Sequence, residues 1–416
     1  MKLNIRYFDY MLPVAAAVLL ALPTSCDNND EGLLSDNSPY IEFGTQELSV
    51  ETRAADSDPT MRNEFKTGDS FGVFGYCVPL NVSTGQPDYT SGSSYWSVKM
   101  SNAVPDVFLN QRVTLTGSGS WQYDWENIGS IPKSYNPKYW YADGKDTENN
   151  DNLAITNTKD YRYDFFAYTP YDANVFSWEK PQNATDKGAP RVKVTIPQKD
   201  GNNDMDPDDT PDAMLAVIHN YNKAVNSKLS FTFSHVFTAL GFEVNNFSNQ
   251  DLEIHSVKLS GTFWKSLTVD FTDNQYTYHP SETYTGTFVL FDETRDGELT
   301  LEAPTGDKTV TSTPSPIGGK YLRLLSGGFN PATGKPSSSY NNYLGNNVAV
   351  EINYTFGGTP NTFSTPRPGT FLPQSGTQYT AQLNFVGNAF VLQFIVDNGE
   401  IWEDGGSDGN GDITFE

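Results

Sequence analysis

Cysteine occurs twice in the 416 residues, at Cys26 and Cys77, and histidine four times. Two thiols cannot build a disulfide framework, and four scattered imidazoles lack the paired spacing of a zinc module. Basic residues are scarce as well: 27 Lys and Arg face 51 Asp and Glu, a formal net charge of −24. That balance excludes binding to nucleic acid or anionic headgroups through the surface field. Long apolar runs are missing beyond the first two dozen residues, and helical periodicity is hard to find anywhere. There is no phosphate-binding loop. The stretch "GGSDG" (405–409) matches a nucleophile elbow only in its letters, since no apolar strand leads into it and no histidine follows it. A glycosidase carboxylate pair is spatial and leaves no sequence pattern, and nothing favours one. The expectation is a protein that is not an enzyme and holds no cofactor. Acidic stretches at 200–209 and 404–412 offer oxygen ligands without the spacing of a calcium loop, and read as solvated loops.

Aromatic residues make up 13% of the chain, too many for disorder, and 34 Gly and 25 Pro punctuate short apolar runs. Alternation with a period of two recurs. Val192, Val194 and Ile196 alternate with polar residues, as do Leu229, Phe231, Phe233 and His235. In "NVAVEINYTF" the residues Val348, Val350, Ile352 and Tyr354 share a face, and Tyr379, Ala381, Leu383 and Phe385 repeat the pattern. One face buried and one wet predicts an all-β chain of antiparallel sheets packed as sandwiches. The run "AFVLQFIVD" is apolar on both faces and is expected in the centre of its sheet. His235 falls on the apolar side of its strand and reads as a hydrogen-bonded core residue. The acidic break "QKDGNNDMDPDDTPD" (198–212) sets a junction near residue 224, giving an N-terminal sandwich over 54–224 and a C-terminal one over 225–416. The stretches "SWQYDW" and "KYWYA" read as core packing, with a sugar-stacking surface as the alternative.

The first 25 residues have the form of a targeting segment. Lys2 and Arg6 precede "MLPVAAAVLLALP", too short for a stable anchor. The segment closes on Cys26 and looks like a bacterial lipoprotein signal, in which the thiol takes a diacylglyceryl group, with palmitate-type acylation at the outer membrane. Ordinary secretion with cleavage near Ser25 is the alternative. Residues 26–53 then hold the acidic tether "DNNDEG" and a strand-like run, "SPYIEFGTQELSVE", in which Ile41, Phe43, Leu48 and Val50 are the apolar positions. Arg53 and Ala54 mark the seam where this run gives way to small polar residues. Cys77, in "FGVFGYCV", reads as a small buried apolar residue.

Several stretches, in this order, resemble the fimbrillin family, the pilus-subunit lipoproteins of Gram-negative gut and oral anaerobes. They are "TRAADSD", "FKTGDSFGVFGY", "YRYDFFAYTPYD", "DDTPDAMLAV" leading to "KLSFTFSHVFTALGFEV", and "YTAQLNFVGNAFVLQFIVDNGEIWEDG". The resemblance implies two transthyretin-like β-sandwich domains in tandem. It also implies a structural role in a cell-surface fimbrium, with no catalysis and with possible adhesion to a host or bacterial surface ligand. An Arg-specific protease would cut between Arg53 and Ala54, the strand bearing Ile41, Phe43, Leu48 and Val50 would leave, and a donor strand from another fimbrial subunit would replace it. The same cut would detach the lipid on Cys26. The tail after Trp402 departs from the pattern of stalk subunits: it ends in "DITFE", a meagre donor, which leaves tip, accessory and anchor roles open. A glycan-binding surface lipoprotein that keeps its lipid is the alternative from another class. If Cys26 is acylated, metabolic labelling with a fatty-acid analogue will mark the wild type and not Cys26→Ala; equal labelling of both would refute lipidation.

Overall fold

The computed structural model describes residues 40–43, 49–50, 65–81, 83–84, 86–87, 105, 107–123, 138–140, 161–179, 191–196, 204–205, 212–222, 228–272, 275–319, 321–325, 329–330, 335–336, 348–366 and 376–401. Nearly all the regular structure among them is β-strand, as the period-two patterning predicts. One large sheet runs in the order Ser49–Val50, Thr232–His235, Met214–Tyr221, Tyr161–Thr169, Ser70–Asn81, Phe108–Leu115 and Trp121–Tyr123. Successive side chains of a strand point to opposite faces. Here both faces are buried. Phe71, Val73, Phe165, Ala167 and Met214 enter one core together with Leu229, Phe231 and Phe233. Phe74, Tyr76, Phe166, Tyr168 and Leu215 enter a second core shared with the later part of the chain. The expectation of one wet face therefore fails for this sheet. The continuous apolar run "FFAYT" shows why: a strand covered on both sides has no polar positions to alternate.

The later strands follow the expected patterning more closely. Leu252–Thr272 and Gln275–Asp292 pair antiparallel along their lengths. Arg191–Thr195 joins them beside Val269, and Ala349–Phe356 with Thr359–Pro366 extends the sheet at Ile254. Both Arg191–Thr195 and Ala349–Phe356 alternate buried with half-buried side chains. A five-stranded sheet contains Thr238–Asn246, Thr377–Val386 and Ala389–Ile401, and its first two strands run parallel to each other, unlike the antiparallel arrangement expected.

The last strand corrects an expectation. Ala389–Ile401 stands at the end of its sheet, paired with Thr377–Val386. Phe390 and Leu392 are buried, while Val391 between them is 49% exposed. Ala389 and Val391 on its second face are exposed, because the hairpin partner takes one edge and the core takes one face.

The chain changes sheets repeatedly. Phe176–Glu179 and Arg191–Thr195 pair in the sheet of the long hairpin, and Met214–Tyr221 returns to the first sheet. Thr232–His235 pairs with Met214–Tyr221, and Thr238–Asn246 then opens the five-stranded sheet. Pro39–Glu416 forms one compact unit by its contacts. At the turn out of the first sheet His235 Nδ1 lies 2.8 Å from Asp212 Oδ1, both side chains buried, which fits the core role read for this histidine. Cys77 is buried in the first core, as its sequence context suggests.

Close packing on the second face depends on Gly72. A Cβ there would fall 2.5 Å from the Tyr168 ring, which lies across the glycine and donates its hydroxyl to Asn110 Oδ1 at 2.6 Å. Gly72→Ala is expected to destabilise the fold by about 1–3 kcal/mol in chemical denaturation, through overpacking. Wild-type stability would mean that the ring slides aside without cost.

Candidate strand-acceptor site

The first apolar run reaches the core as expected at Ile41 and Phe43, which are 0% and 5% exposed. Leu48 lies outside the described residues, as do Cys26, Arg53 and Ala54; Val50 is placed by its backbone pairing alone. Of the expected strand over residues 40–52, Glu42–Phe43 and Ser49–Val50 are described as strand, on either side of residues 44–48. Glu42–Phe43 pairs with Lys228–Leu229, and Ser49–Val50 pairs with Thr232–His235. Both pairings are parallel. A parallel partner cannot be joined by a tight hairpin, so this segment meets strands that lie far away in the chain.

Physical retention comes from three sources. The first is aromatic packing. The Phe43 ring sits 5.4 Å from Phe71 in an edge-on arrangement, 5.9 Å from Phe108 and 6.0 Å from Phe231. Burying Ile41 and Phe43 stabilises by roughly 1.5–3 kcal/mol each. The second is backbone pairing on both flanks. On the side away from Lys228–Leu229, the Ile41 amide donates to the Lys138 carbonyl at 2.7 Å, and Tyr40 bridges antiparallel to Tyr139. Each such bond adds about 1 kcal/mol net. The third is a phenol contact at the surface: the rings of Tyr40 and Tyr139 are 4.8 Å apart. Their hydrogen bond, foremost, holds the Tyr139 hydroxyl above the usual phenol range.

The segment 138–140 was not legible as part of this site. It belongs to "KYWYA", whose aromatics read only as core or sugar-stacking surface. Trp140 is 1% exposed and Trp121 is 7%, so both belong to the core rather than to an exposed platform. Trp178 and Trp264 are half-buried against the second core. Of the two acidic stretches, only Asp204–Met205 is described, as a short strand parallel to Gln275–Asp292. Among the described residues no cluster of three or more His, Cys, Asp or Glu could hold a metal ion, and no helix is long and apolar enough to cross a membrane.

No protein-family profile matches the chain, and no curated protein does. Solved structures do match. A candidate cell adhesion protein of Bacteroides uniformis is 13% identical, with 89% of this chain and 100% of that chain covered and a TM-score of 0.41. A candidate cell adhesion protein of Bacteroides ovatus is 14% identical, covering 85% and 94%, with a TM-score of 0.38. A candidate adhesin of Bacteroides thetaiotaomicron is 9% identical, covering 83% and 94%, with a TM-score of 0.30. Likenesses of this degree leave the function to be argued from the chain's own residues.

The phenol contact gives a pH-dependent signature. A folded-state value raised above the ordinary one means that the contact contributes below about pH 10 and is lost as pH climbs past that point. Replacing Tyr40 with Phe should return the ionisation of Tyr139 toward the ordinary phenol range in an absorbance titration, with Tyr139→Phe identifying the transition. An unchanged titration would mean that the rings touch without sharing a hydrogen bond.

Proposed function

We propose that this chain is a structural, non-enzymatic subunit of a cell-surface fimbria, and that its first strand is a stand-in for a strand of another subunit. The observation that carries the reading is the setting of residues 40–43. Ile41, Glu42 and Phe43 are buried like core, Glu42–Phe43 pairs parallel to a strand from a distant part of the chain, and Arg53 follows at the start of a small, polar stretch. A cut after Arg53 converts a covalently held strand into a separately bound peptide, whose departure uncovers the pockets of Ile41 and Phe43 together with unpaired backbone. Main-chain hydrogen bonds then supply affinity for an incoming strand, and alternate side chains supply specificity.

In this reading Cys26 carries the lipid that tethers the precursor at the outer membrane. The Arg-specific protease is the releasing partner, and the donor-bearing subunits are the assembly partners. Two of the tryptophans that suggest a glycan-binding alternative, Trp121 and Trp140, face the core.

Brief digestion of the full chain with an Arg-specific protease should yield a product starting at Ala54. That product should exchange its resident strand for an added peptide of residues 38–45, while Arg53→Ala remains intact at this position and exchanges nothing. Retention of the resident strand by the nicked protein in excess competitor would overturn the proposal.

A further inference from the structure

We infer that residues 138–140 form a fixed second wall of the first-strand site, held in place by Trp140, and that this wall makes the site admit a lone extended strand and refuse the edge of a folded sheet. The inference rests on the strand-exchange reading and specifies the kind of partner that the site can take.

The geometry is that of a slot. Residues 40–43 are hydrogen-bonded to Lys228–Leu229 on one flank and to the segment at 138–140 on the other, through the Ile41 amide to Lys138 and the bridge from Tyr40 to Tyr139. Neighbouring strands in a sheet lie about 4.8 Å apart, so two walls paired to the same strand leave room between them for one backbone. The slot is also closed in the third dimension. Ile41 and Phe43 point into the core, and Glu42, whose side chain points the opposite way, is only 8% exposed. A sheet edge would bring its own neighbouring strand into the space that the wall occupies. A single strand meets no such conflict and gains backbone partners on both sides.

Among the described residues the wall joins no ladder of the large sheets, and a side chain is in place to fix it. Trp140 does so. Its indole stacks on Tyr221 at 5.5 Å with an interplanar angle of 10°, and meets Tyr163 edge-on at 4.9 Å and Phe165 at 6.3 Å. Tyr163 and Phe165 stand on Tyr161–Thr169 and Tyr221 closes Met214–Tyr221, two adjacent central strands of the first sheet. The wall is therefore pinned to two adjacent strands of the first sheet, and on this inference it stays in register whether or not the first strand is present. Trp140 is a positioning residue: its indole packs into the core and acts on the strand through the backbone that it anchors.

Two measurements test this. In the uncut full chain, residue-resolved hydrogen exchange reports the wall directly. Trp140→Ala should speed exchange of the Ile41 amide by at least about tenfold while the Phe166 amide in the central strand keeps its protection, and Trp140→Phe should stay near wild type. Trp140→Leu, which keeps the cavity apolar and partly filled, replaces the alanine variant if that one does not fold. Unchanged protection at Ile41, or equal loss at Phe166, would overturn the wall. In the nicked protein, a linear peptide of residues 38–45 should displace the resident strand, and the same sequence locked into a cyclised hairpin should not. Equal binding of the hairpin would overturn the slot. Failure of the linear peptide to bind at all would instead count against strand exchange, while the exchange contrast in the uncut chain would still stand or fall by itself.

Discussion

The contact of Phe43 with Phe71, Phe108 and Phe231 is the constraint on which the first core depends. Phe71 and Phe108 come from two strands of the first sheet, Phe231 from the link between Lys228–Leu229 and Thr232–His235, and Phe43 from a segment far earlier in the chain than Phe231. The core is thus completed by residues with no short covalent route to the strands that they cover. Parallel pairing follows from that arrangement, because no tight turn joins Glu42–Phe43 to Lys228–Leu229. A segment so placed can be exchanged in principle, because its contacts are those of an interior strand while its partners lie far away in the chain.

The rest of the first sheet supplies rigidity. Its central strand Tyr161–Thr169 is buried on both faces and paired on both edges, by Ser70–Asn81 and Met214–Tyr221, and these strands carry aromatic residues that hold the site. Close-packed interiors leave little room for shifts, so Trp140 and Phe231 are fixed by the packing of the first core as Tyr168 is fixed over Gly72 in the second. The removable element and the fixed walls therefore differ in attachment rather than in chemistry. The first segment and its walls are all held by backbone pairing and buried side chains, and they differ in how far along the chain their partners lie.

Much of the fold was legible because period-two alternation depends only on which residues meet water. It placed Arg191–Thr195, Ala349–Phe356 and the buried face of Thr377–Val386 correctly, and it put His235 in the core. It misjudged Ala389–Ile401, since an apolar run does not say whether a second strand or solvent lies beyond. It also predicted a wet face for the first sheet, because the partner covering that face lies far away in sequence. Within the site, Ile41 and Phe43 were visible as alternating apolar residues. The wall at 138–140 was not: its role comes from backbone groups, which have no side-chain signature, and Trp140 looks like any core tryptophan in the sequence.

The central claim is that the chain up to Arg53 is a temporary occupant. It is tested most directly by determining the N-terminus of the protein recovered from the surface of the cells that make it. The claim predicts a chain that begins at Ala54 and has lost residues 40–43, with the vacated pockets filled by a strand from another polypeptide that copurifies with it. A recovered chain that begins at Cys26, carries its lipid and still holds Ile41 and Phe43 in an assembled fibre would contradict it.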